Sequence, residues 1–179
     1  MRSKSWDEIR AHFHETGTQA LHEAVVRVGK VKAEKLPDDI ADAIIALFDH
    51  PDPEVRAEAV RAIGVHWRLA RAVRALAEVL KRDGDLQVQL SAISGLGAIA
   101  RENADIRCFV SKVLAGVVLD EHFADYERMT AYLELLHSEG KIGFKEYTAR
   151  NRDIPSTMAN FDIDRPWVEE LAQCDHPES

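Results

Sequence analysis

The sequence predicts an all-α chain, an α-solenoid (superhelix) of stacked antiparallel helix pairs. Three observations predict it. A thirteen-residue segment recurs at an offset of 33 residues, apolar positions recur at helical spacing, and the composition is Ala-rich and aromatic-poor, with aromatics at 7%. Closely packed helices suit such a composition better than a β-sandwich core does.

The repeat comes first. Asp52-Pro53-Glu54-Val55-Arg56-Ala57-Glu58-Ala59-Val60-Arg61-Ala62-Ile63-Gly64 aligns with Asp85-Leu86-Gln87-Val88-Gln89-Leu90-Ser91-Ala92-Ile93-Ser94-Gly95-Leu96-Gly97. Asp52 and Asp85 stand where an N-cap accepts hydrogen bonds from the first helical turn. Pro53 presets φ where its missing N–H costs nothing. Val55, Ala59, Val60 and Ile63, with their counterparts, form one apolar stripe. Gly and Ala positions allow close approach to neighbouring helices. The preceding helix recurs too, since Ala41, Ile44, Leu47 and Phe48 align with Val73, Leu76, Val79 and Leu80 at an offset of 32. Stripes this narrow bury themselves only by stacking on neighbours.

These segments resemble the HEAT-repeat family, whose second helices open on an Asp-Pro-x-Val-Arg pattern, as Asp52 to Arg56 does here. The copy at Asp85 departs, with Leu86 for Pro and Gln89 for Arg. The resemblance covers residues 37–102 and implies a bacterial HEAT-like protein.

Outward from that centre, Ser5-Trp6-Asp7-Glu8 reads as a capping box opening a helix to Glu15. Gly17 breaks it, and a second helix runs from Thr18 to Lys35. Downstream, 105–120 and 124–138 form a further pair ending at Gly140. A short helix is expected at 143–151, a loop at 153–164 containing Ile154-Pro155-Ser156, and a last helix from Pro166 to Gln173. Residues 1–140 are thus the repeat region and 141–179 its acidic cap, within the same domain.

Net charge is −8, and all of it falls late. Residues 120–179 hold 14 acids against 6 bases, whereas the first 119 residues hold 17 of each. Such a balance argues against nucleic-acid phosphates as ligands and suits a basic protein partner. The first eight residues carry no apolar stretch of a secretory leader, and the longest apolar run, 113–119, is too short to span a membrane. A cytoplasmic chain off the membrane is the expectation. Cys108 and Cys174 sit in unrelated contexts, so each reads as an isolated thiol, with no disulfide or zinc spacing.

Candidate chemistry is sparse. His14-Glu15 and His22-Glu23 invite comparison with the di-iron deoxyhypusine hydroxylases, which are built on HEAT repeats. Here the repeats carry Ala57-Glu58 and Leu90-Ser91 instead, so neither metal nor cofactor is expected. DNA glycosylases on HEAT-like scaffolds use a basic groove. The nearest counterpart is Arg68, Arg71, Arg74, Lys81 and Arg82, read as one helix and its solvated outer face. Gly95 and Gly97 read as close-packing positions in a helix, not a nucleotide loop, and Trp67 as inter-repeat core or exposed anchor. Asp38-Asp39 reads as a helix start.

The resemblance implies a concave face lined by the second helix of each pair. Its expected partner-binding residues are Arg56, Glu58, Arg61, His66, Trp67, Gln87, Gln89 and Ser94, with Glu54 and Ser91 beside them. Arg56 has a competing role, bracing acidic caps between repeats. The function expected is a non-catalytic protein-binding module, an adaptor or assembly factor or a toxin-neutralising immunity protein. The alternative is an enzyme on the same scaffold, of lyase, hydroxylase or glycosylase type.

Overall fold

The computed structural model describes residues 6–13, 17–31, 35–160 and 162–174, and among them there is no strand. The helices are α1 (Trp6–Phe13), α2 (Thr18–Gly29), α3 (Asp38–Ala46), α4 (Pro53–Arg61), α5 (Val73–Arg82), α6 (Leu86–Glu102), α7 (Ala104–Leu119), α8 (Asp125–Ser138), α9 (Phe144–Arg152), α10 (Ile154–Asn160) and α11 (Arg165–Ala172). This is the all-α, HEAT-like helical-repeat fold that the sequence predicts. Its contacts fall into two compact units, Met1–Gly95 and Leu96–Ser179, with the boundary inside α6.

In the first unit the caps form where the repeat places them. Asp52 Oδ1 accepts from Glu54 N–H at 2.8 Å, and Asp85 Oδ1 accepts from Gln87 and Val88 N–H at 2.9 and 3.1 Å. Each such cap contributes about 1 kcal/mol. Val55, Ala59, Val60 and Ile63 are buried, as are Val88, Ala92 and Ile93. Helix α5 buries Val73, Leu76, Ala77, Val79 and Leu80 and leaves Arg74, Glu78, Lys81 and Arg82 outside. A π turn over Ala62–His66 ends α4, closed by Trp67 N–H on the Ala62 carbonyl. It carries Gly64 against Gly95: a Cβ built on Gly64 would lie 2.6 Å from Gly95 Cα. The small residues of the repeat therefore do serve close packing.

Two elements of this unit differ from the sequence reading. Helix α2 stops at Gly29, where Lys30 N–H bonds to the Arg27 carbonyl, Val31 N–H bonds to the Val28 carbonyl, and a side chain at Gly29 would strike the His66 ring. The arginine run is not one helix. Arg68 takes φ 48°, reversing the chain, and a 3₁₀ turn over Ala70–Ala72 precedes α5. Arg68 and Arg71 thus lie before the helix that carries Arg74.

In the second unit, α7 and α8 form an antiparallel pair whose α8 member is buried nearly all round, at Met129, Ala131, Tyr132, Leu133, Leu135 and Leu136. Helix α7 packs on one side of α8, α9 and α10 pack on α8 as well, and α11 packs on α7. Residues 154–160, expected as loop, form α10. Pro155 falls in its first turn, where no N–H is required, Asp153 Oδ1 accepts from Ser156 N–H, and Ile154 is 2% exposed.

The isolated-thiol reading is also corrected. Cys108 on α7 and Cys174 after α11 form a disulfide, with their Cα atoms 5.9 Å apart and a sequence separation of 66. Spacing could not reveal it, because the pairing is made by the return of α11 onto α7. A loop of that length stabilises by about 4 kcal/mol through the unfolded chain. Among the described residues no helix is long and apolar enough to cross a membrane.

Candidate functional site

The face expected to bind is built from α4 and the start of α6. Glu54, Glu58 and Arg61 follow helical spacing on α4. Gln87, Ser91 and Ser94 occupy the equivalent positions, each 33 residues on. Glu54 and Gln87 are exposed, Gln89, Ser91 and Ser94 are half-buried, and the Arg61 side chain is 53% exposed. Glu58 does not point to solvent as expected. It is 5% exposed and pairs with Arg61, so it orients that guanidinium instead of meeting a partner itself.

Arg56 is likewise a brace. Its Nε and NH2 donate to the two Asp83 carboxylate oxygens at 2.6 and 2.9 Å, and its NH1 donates to the His50 and Pro51 carbonyls. One side chain thereby ties the α3–α4 turn to the α5–α6 turn. Four of its five donor hydrogens are thereby taken, and 18% of the side chain stays exposed. Burial works against the Asp83 carboxylate, but the Arg56 pair and the Asp85 N–H outweigh it and hold its pKa below the usual value. Because this folded-state pKa is depressed, the stabilisation is present above the ordinary carboxylate pKa and is lost as pH falls through the lowered value. Urea titrations between pH 5 and pH 2.5 are expected to show a stability slope that is shallower in Asp83→Asn, over roughly the lower half of that range. An unchanged slope would remove Asp83 from the acid response.

Trp67 is half-buried, with its ring 6.0 Å from that of Trp6 and Nε1 donating to the Val28 carbonyl at 3.1 Å. It packs on Trp6 and α2 while staying partly exposed. His66 is exposed beside Gly29. The basic run is already paired: Arg71 with Asp42 at 2.7 Å, Arg82 with Asp49, and Lys81 with Glu78 at 3.2 Å. Of the His-Glu pairs, Glu23 meets Gln19 and Arg27, while His14 and Glu15 lie outside the described residues.

The family model for HEAT repeats matches residues 40–135. The chain belongs to the HEAT-repeat family. No curated protein matches it. The match takes in α4 and α6 and continues through α7 and most of α8. The HEAT assignment therefore extends beyond the clear repeats of 37–102 to a pair the sequence left degenerate.

Within that later HEAT segment sits a cluster the sequence did not single out. Glu134 on α8 is 1% exposed and accepts from Arg101 NH1 on α6 and Tyr147 OH on α9, both at 2.6 Å. The Tyr147 ring stacks on His137 with centroids 4.4 Å apart, and the Arg101 guanidinium lies 5.6 Å from the Tyr147 centroid. Gly97 makes the room: a Cβ there would lie 2.7 Å from Glu134 Cδ and 2.9 Å from its Cβ. Burial raises the Glu134 pKa against the pull of Arg101, and burial with the nearby cation lowers that of His137. Burial and the Glu134 carboxylate raise that of Tyr147. The Arg101, Glu134 and Tyr147 contacts tie three helices together, while His137 Nδ1 is buried without a hydrogen-bond partner among the described residues. The available signal was Gly97, whose missing side chain marks a close approach.

Proposed function

We propose that this chain is a non-catalytic protein-interaction module that docks a protein partner on the exposed parts of α4 and α6. The observation carrying this reading is the polar row at equivalent positions of successive repeats, Glu54 and Arg61 on one helix and Gln87, Ser91 and Ser94 on the next. Mixed charges and amides suit a polypeptide better than phosphate or lipid. HEAT repeats commonly serve as protein-binding scaffolds, which supports the same reading. The docking set is Arg61, Gln87, Gln89 and Ser94, with His66 at the margin and Glu58 behind Arg61. The acid excess after residue 120 favours a partner of basic character, met by residues 1–140 as the repeat part with 141–179 as its cap. An adaptor or assembly factor, or an immunity protein covering a basic toxin site, fits this chemistry.

The test is affinity capture from native lysate with the intact chain, an Arg61→Glu/Ser94→Glu double variant, and Lys81→Glu on α5 as control. A stoichiometric protein retained by the intact chain and the control, and reduced about tenfold or more by the double variant, is expected. Equal recovery by all three would remove the α4–α6 face from the account.

A further inference from the structure

We propose that the Cys108–Cys174 disulfide is a redox latch: thiol–disulfide exchange with a dithiol frees α11 from α7 while the α7–α8 pair stays folded. The proposal goes beyond the partner-docking reading and does not rest on it.

The case begins with how little of α11 is fully buried. It has eight residues, and Val168 is its one buried residue. Helices this short do not persist in water on their own propensity. Trp167, Leu171 and Ala172 are half-buried beside Val168, and α11 packs on α7. Asp164 N–H donates to the Tyr132 hydroxyl at 2.9 Å, the Trp167 ring meets Tyr132 edge-on with centroids 6.1 Å apart, and Lys141 Nζ lies 5.1 Å from the Trp167 centroid. The α7–α8 pair presents the opposite case. Helix α8 buries ten residues and α7 buries Val110, Leu114, Ala115, Val117 and Val118. By this measure opening of α11 costs less than opening of α7–α8. The covalent bond joins the two across that difference.

The bond is placed for exchange. Both cysteines are half-buried, leaving the disulfide partly open to solvent. Cys174 follows α11 directly, its N–H bonded to the Leu171 carbonyl. In the reaction, a thiolate of an external dithiol, small or protein-borne, attacks one sulfur of the pair and expels the other as thiolate. The second thiol of the donor then attacks the mixed disulfide and closes the donor's own disulfide. In sum the donor dithiol is oxidised by two electrons, and Cys108 and Cys174 become thiols carrying its two protons. Release of α11 then uncovers Tyr132 and the α7 flank, so oxidised and reduced chains present different surfaces.

Hydrogen–deuterium exchange of the full chain tests this, with the oxidised protein, the protein reduced by dithiothreitol, and Cys174→Ser compared. Thiol titration accompanies it. The expectation is no reactive thiol in the oxidised chain and two after reduction. Amides of 165–172 should exchange about tenfold faster or more in the reduced chain and in Cys174→Ser, with 125–138 remaining folded and far better protected than 165–172. Three results would each overturn the proposal: free thiols in the oxidised protein, unchanged α11 exchange on reduction, or loss of α8 protection together with that of α11. The last would make the bond a staple of the whole unit.

Discussion

Gly64→Ala is expected to destabilise the protein by about 3 kcal/mol, despite the better helix propensity of alanine. The added Cβ would sit 2.6 Å from Gly95 Cα and 3.3 Å from Leu76 Cδ1. The first obstacle is backbone, which cannot rotate aside as a side-chain tip can. The α4 end and α6 must separate, and the buried side chains around them lose contact on both sides. Gly116→Ala is the matched comparison. Gly116 is an exposed position within α7, with nothing within 4 Å of a built Cβ, so the same change should stabilise by up to about 1 kcal/mol. Thermal unfolding followed by helical circular dichroism would read the first as a fall of roughly 10 °C and the second as a small rise. Should both variants move together, propensity would govern Gly64 and the close-packing argument would fail.

The other large effect is expected at Arg101→Met, which leaves the Glu134 carboxylate buried without its cation. Removing one partner of a buried pair costs about 3–5 kcal/mol, more than the pair contributes over an apolar replacement. Tyr147→Phe deletes only a hydrogen bond and should cost about 1–2 kcal/mol. Combining Arg101→Met with Glu134→Leu should recover most of the loss, because no charge is then left to desolvate. The pH dependence has a definite sign. Burial already raises the Glu134 pKa, and losing Arg101 raises it further. A carboxyl whose folded pKa is raised contributes stability that is full below the unfolded value and lost as pH rises through the folded one. Arg101→Met should therefore recover stability as pH falls from neutrality toward the ordinary carboxylate pKa. Urea midpoints across that window test this, and a flat or opposite trend would mean that Glu134 is not the strained group.

The fold was legible where one residue type has one local job. Asp52 and Asp85 cap, Pro53 opens a helix, and Val55 with its counterpart Val88 faces inward, all readable from spacing. The α10 segment was misread because Pro155 signals a break unless Asp153 is also read as the residue that starts a helix there. Other features depend on chain segments meeting far apart in sequence. Arg56 matches an exposed position by periodicity and was half-read as a brace. That Asp83 takes its whole fork is decided by where the next turn lands. Glu58 resembles Glu54 in sequence, and only the packing around α4 separates a buried orienting carboxylate from a solvated one. Cys108 and Cys174 share no motif, and Glu134 resembles any surface glutamate until α6 and α9 close over it.

The paired arginines of the first unit have a bearing on how such helices keep register. Arg10 meets Asp39 and Arg71 meets Asp42, each 29 residues apart, while Arg82 meets Asp49 across 33. As exposed pairs they are screened by solvent and add little, so their importance is not thermodynamic. They act as keys between helices, with Arg71 and Arg82 answering anions earlier in the chain and Arg10 an anion later in it. A slip of a few residues between such helices would set an arginine against the wrong neighbour, so slippage is opposed there.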